Sequence, residues 1–138
     1  MAMRKSQKIK EYKFNDPCYR ANISFLVGGS VAELIALIKE RHPNGQIYSF
    51  DKRWDFTDDA DTTDAYQFHV AELHGKGEVF YLWILEKDNY LFSHELYHLV
   101  GDILCNRGLE YVMQSEEAFA YYFGYISEAA YKLLKWRF

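Results

Sequence analysis

The chain has 138 residues, 49% of them hydrophobic and 18% aromatic, which is enough apolar material for one compact core and argues against disorder. A net charge of −4 gives no general field for nucleic acid, and no run approaches the roughly 18 apolar residues needed to span a bilayer. Cys18 and Cys105 are too few for a disulfide framework, and no secretory apolar stretch follows the charged start, so a reducing cytoplasm is the expected compartment.

Residues 1–16 read as a basic, frayed terminus, with Arg4, Lys5, Lys8, Lys10 and Lys13 solvated. The run from Cys18 to Gly29 then reads as a strand ending in a glycine turn. A helix follows: Ser30 and Glu33 form an S-x-x-E cap, and Val31, Leu34, Ile35 and Ile38 form one apolar stripe. Pro43 and Gly45 stop it.

The stretch 51–64 has no regular periodicity and is rich in aspartate, so it is expected to be a surface loop, a candidate flap over a site. It lacks the glycine and terminal glutamate of a calcium-binding loop. Residues 65–86 read as two strands joined at Gly75-Lys76-Gly77, the second an uninterrupted apolar run suited to burial on both faces. His69 is expected to be a satisfied structural histidine and His74 an exposed turn histidine. Two helices follow, about 91–106 and about 116–136, with Gly108 stopping the first. The expected fold is therefore α+β, one domain over 1–138, in which a small sheet with a β-hairpin packs against an active-site helix and a C-terminal helix.

The first of these helices carries His94-Glu95-Leu96-Tyr97-His98. Side chains four apart share a helix face, so His94 and His98 can present two imidazoles to one ion, while Glu95 projects about 100° away. That is the arrangement in which two histidines hold zinc and the glutamate acts as general base on a metal-bound water. A catalytic zinc needs a third protein ligand, and Glu116 and Glu117 open the next helix. Helical phase selects Glu117, which shares a strip with Ala120, Gly124 and Ser127 that could pack close to Gly101. Both acids would also be accounted for by a favourable helix N-terminus behind Ser115. Asp102, Tyr121 and Glu128 are candidate supporting residues, and Cys105 reads as a small buried hydrophobe.

From Ser93 to Glu128 the chain resembles the core of gluzincin-type zinc peptidases, in which H-E-x-x-H is followed by a glutamate on the next helix. It is similar in particular to short HExxH proteins of phages and integrated elements, where a glutamate-alanine pair, here Glu117 and Ala118, opens the final helix. The resemblance implies a minimal zincin-like core, Zn²⁺ held by His94, His98 and Glu117, Glu95 as the catalytic base, and a peptide or protein substrate. The alternative is an interaction module that keeps the scaffold without catalysis. A third reading makes the tyrosine-rich last helix a homodimer face.

Overall fold

In the computed structural model the described residues are 8–49, 52–53, 64–72 and 77–136. The chain order is β1 (Lys10–Asp16), β2 (Ala21–Val27), α1 (Val31–Arg41), β3 (Gly45–Ser49), β4 (Lys52–Arg53), β5 (Ala65–Glu72), β6 (Glu78–Ile84), α2 (Asn89–Asn106), a single 3₁₀ turn and α3 (Glu116–Leu134). The fold is α+β, as the order of apolar periods predicts. The strands form one sheet in the order β1-β2-β6-β5-β3-β4. Its neighbours are antiparallel except at the centre, where β2 runs parallel to β6 from Asn22↔Val79 to Val27↔Ile84.

The basic start is not frayed throughout. Lys10–Asp16 pairs with β2 along its whole length, because Tyr12 and Phe14 alternate with Glu11, Lys13 and Asn15 and give the strand one apolar face. Asp16 closes the hairpin. Its buried carboxylate accepts from the backbone N–H groups of Cys18 and Tyr19 at 3.0 and 2.9 Å, and from the Tyr122 hydroxyl at 2.7 Å. Burial and that hydrogen bond hold the Tyr122 phenol well above its ordinary range.

Gly28 and Gly29, at φ +94° and +74°, turn the chain out of β2 into α1, conformations that glycine adopts without a side-chain penalty. Ser30 caps α1 as expected, accepting from the Glu33 N–H at 3.2 Å. Leu34 and Ile38 then pack on Leu26, Phe68, Tyr81 and Trp83 to fill one face of the sheet. The other face carries Ile23, Phe25, Phe80 and Leu82 against α2 and α3. The molecule is thus a three-layer sandwich in which β5 and β6 are buried on both faces, the burial that the apolar run in β6 predicts.

Asp88 starts α2 by accepting from the Leu91 N–H at 3.1 Å, and Gly108 at φ +89° ends it. Arg107 then ties this end to the first hairpin. It donates to the carbonyls of Tyr19 and Arg20 at 2.8 and 3.0 Å and pairs with Glu78. Apart from β4 and Asp64, the acidic stretch 51–64 lies outside the described residues, as does His74.

Candidate metal centre

Helix α2 turns Phe92, Leu96, Leu99, Val100, Ile103 and Leu104 toward the sheet and α3. Its opposite side carries His94 and His98, whose Nε2 atoms face each other at 3.2 Å with the rings at 79°. Two imidazole nitrogens bound to one zinc at about 2.0–2.1 Å and a near-tetrahedral angle stand about 3.3 Å apart. The observed separation is close to that spacing. Held by a proton instead, one Nε2–H would donate to the other lone pair.

Glu95 leaves the same turn toward β5 and is half-buried. Pairing between β3 and β5 runs from Gly45↔Glu72 to Tyr48↔His69, and beyond that segment the Gln67 backbone N–H donates to the Glu95 carboxylate. Burial pushes the Glu95 carboxyl up to about 7, with the Gln67 hydrogen bond pulling the other way. Two imidazoles and a neighbouring carboxyl thus stand on one turn of helix, as the spacing predicts.

Glu117 does not join them. It lies exposed in the first turn of α3, and among the described residues no three His, Cys, Asp or Glu side chains come together in a group able to hold a metal ion. The small-residue strip that pointed to it does not pack closely on α2, although Ala120 lines the cleft between the two helices beside Tyr97 and Val100. Ala120 and Gly124 are exposed, and a Cβ on Gly124 would meet nothing within 4 Å. Phe119, Tyr122, Ile126 and Ala130 form the buried face of α3 instead. Glu116 is the acid on the α2 side, lining a cleft of about 180 Å³ with Tyr97, Val100, Tyr111 and Phe119.

The other candidates are placed elsewhere. Asp102 turns inward: its carboxylate accepts from Gln67 Nε2 at 2.9 Å and pairs with His69 Nδ1 at 2.8 Å, so it serves β5 and not His98. His69 is the satisfied structural histidine expected, stacked on Tyr48 and 8% exposed. Tyr121 is 76% exposed, Glu128 pairs with Lys132 at 2.8 Å on the surface, and Cys105 is exposed where a buried hydrophobe was expected. The Gln67–His69–Asp102 group was missed. Gln67 and His69 alternate with Tyr66, Phe68 and Val70, which puts two polar side chains on one face of an otherwise buried strand and signals a polar partner on the covering helix.

No family model, curated protein or solved structure matches the chain. No helix among the described residues is long and apolar enough to cross a membrane.

Proposed function

We propose that the protein is a zinc-dependent peptidase whose metal is held by His94 and His98. The observation that carries this reading is the 3.2 Å separation of the two Nε2 atoms on an outward-facing helical turn, beside a half-buried glutamate. Zinc, when bound, would supply Lewis acidity and lower the pKa of its water. Glu95 would take up the proton at its carboxylate, held toward β5 by the Gln67 N–H. Glu117 remains the proposed third ligand on the strength of the family pattern alone.

A second reading has its own support. The lack of a third metal-binding side chain beside the pair, among the described residues, favours an interaction module that retains the scaffold without catalysis. One experiment separates them. The chain purified without chelator is assayed for metal, then compared with His94→Ala, Glu117→Ala and Glu95→Gln. About one zinc per chain, lost in His94→Ala and retained in Glu95→Gln with hydrolysis of a peptide library abolished, is the expected result. Undiminished zinc in Glu117→Ala would remove that residue from the ligand set. Absence of zinc from the native chain after reconstitution would leave the interaction module.

A further inference from the structure

The turn between β1 and β2 and one face of α3 border a cavity of about 530 Å³, lined by Cys18, Tyr19, Ala118, Tyr121, Tyr122 and Tyr125. That volume is in the range of sites that take a whole small ligand. Ala118, Tyr121, Tyr122 and Tyr125 follow an i, i+3, i+4, i+7 spacing, so a single helix face supplies three rings. Tyr19 brings a fourth from the turn. Its ring meets Tyr122 edge-on at 4.8 Å and 73°, whereas Tyr122 and Tyr125 lie nearly parallel, 6.3 Å apart at 21°. The rings thus stand in two directions about one space. Tyr122 is buried, but Tyr121 and Tyr125 are 76% and 39% exposed, so the stripe is not used up by packing.

The charge around these rings has one sign. No lysine, arginine or histidine among the described residues lines the cavity. Asp16 is tied into its wall: the buried carboxylate accepts from the Cys18 and Tyr19 N–H groups and from the Tyr122 hydroxyl, and forms no ion pair among the described residues. A phenol that donates to a carboxylate carries a more electron-rich ring. The same charge reaches across the lining. After desolvation, Asp16 raises the Cys18 thiol and the Tyr122 phenol, and desolvation, Cys18 and Asp16 raise Tyr125. All three shifts disfavour negative charge. Arg107 is the smallest influence on Tyr122, and Glu78 pairs with it.

A metal ion or a primary ammonium would need oxygen acceptors in place of its water, and the one carboxylate here is sealed behind its three donors. A quaternary ammonium has no N–H to satisfy and is recognised by ring faces and charge alone. We propose that this cavity binds the quaternary ammonium group of a small molecule, held by Tyr19, Tyr121 and Tyr125 beside the charge of Asp16. A second copy of the chain suits it less, because a two-fold contact through this face would set cavity against cavity and leave both unfilled. The site shares no residue with the histidine pair and does not depend on zinc.

The test uses the full-length chain, choline, and choline's uncharged isostere in which a tert-butyl group replaces the trimethylammonium group. Binding is followed through tyrosine ring and backbone amide resonances. Choline is expected to shift Tyr19, Tyr121 and Tyr125, and the isostere to bind at least about fivefold more weakly. Tyr121→Leu keeps an apolar side chain at an exposed position, and should weaken choline at least about threefold without lowering thermal stability. Asp16→Asn should weaken it by a similar factor; because that carboxylate also holds the turn, Tyr121→Leu is the deciding variant. Equal binding of choline and its isostere would overturn the proposal and leave an apolar cleft. No shift at about 100 mM choline, or shifts centred on α2, would also overturn it. So would binding to phosphatidylcholine vesicles without any response to choline, which would assign the face to a membrane surface. Ring shifts that grow with protein concentration before ligand is added, together with a dimer in sedimentation, would assign it to self-association instead.

Discussion

His69 and the His94–His98 pair place the same side chain in opposite circumstances. His69 lies between sheet and helix with its Nδ1 on the Asp102 carboxylate, and both groups are almost sealed from water, at 8% and 3% exposure. His94 and His98 lie on the outward side of the same helix and turn their nitrogens toward each other. His42 is intermediate. At the end of α1 it reaches Glu72 at 2.5 Å through Nδ1 and the Tyr81 hydroxyl at 2.7 Å through Nε2; its own side chain is as covered as that of His69, but its carboxylate partner is 32% exposed. A histidine bonded to a buried carboxylate has its tautomer and ring fixed and contributes to holding elements together. Two surface histidines whose Nε2 atoms lie 3.2 Å apart hold no second element in place through those nitrogens.

The contrast can be broken first at its buried end. Asp102→Ala strands His69 Nδ1 and the Gln67 amide in the core, and should cost about 2–4 kcal/mol in urea unfolding. A loss below about 1 kcal/mol would mean that the cluster is not what fixes α2 on β5. Next comes the intermediate histidine. A Cβ on Gly45 would stand 2.6 Å from Val70 Cγ1 and 2.9 Å from the His42 Cβ, so Gly45→Ala should cost about 1–3 kcal/mol by overpacking. The His42 ring resonances should move in the same variant, because its seat between Glu72 and Tyr81 is displaced.

A smaller effect tests the rim beside His42. The Arg41 guanidinium, aided by Ser24, holds the Glu11 carboxyl below its ordinary range against the opposing effect of burial. A depressed carboxyl contributes stability above its unfolded pKa and loses it as pH falls through the folded one. Glu11→Gln should therefore lower stability at pH 7 by less than about 1 kcal/mol, since the pair is only partly buried, and the gap to wild type should close below about pH 4. A gap that stays constant down to pH 3 would assign the loss to packing. The smallest change is expected at the surface pair. In chelator-treated protein His94→Ala should shift stability by no more than about 0.5 kcal/mol in either direction, measured beside Asp102→Ala on the same day and buffer. A loss of several kcal/mol would make that histidine structural, like His69.

Local signals in the sequence carried far into the fold. The Ser30 cap, the β5–β6 hairpin, the glycine stop at Gly108 and the turn with His94, Glu95 and His98 each depend on residues close together in the chain, and each is found where the spacing puts it. Strand β1 was hidden by its lysines, although Tyr12 and Phe14 already alternate with polar residues, because an exposed edge strand looks like a solvated terminus. Strand β3 is short and opens on Gly45, so it carries little strand signal of its own. The third ligand was sought through the face of α3 that contained the smallest residues. Its buried face is set by Phe119, Tyr122 and Ile126 filling the space beside α2, and such a choice is made by the volume of a distant partner.

The parallel pairing of β2 with β6 also orders events in time. Each strand has a partner that it can reach early through a short connection, β1 for one and β5 for the other. The strands can meet each other only after α1, β3 and β4 have been threaded between them, so loop-closure entropy makes this contact slow. Loop-closure entropy predicts that the two hairpins form first and that the sheet is completed when they meet along this line. The Trp83 indole N–H crosses it to the Gly28 carbonyl at 2.8 Å, which makes that ring a natural clock for the last step of folding.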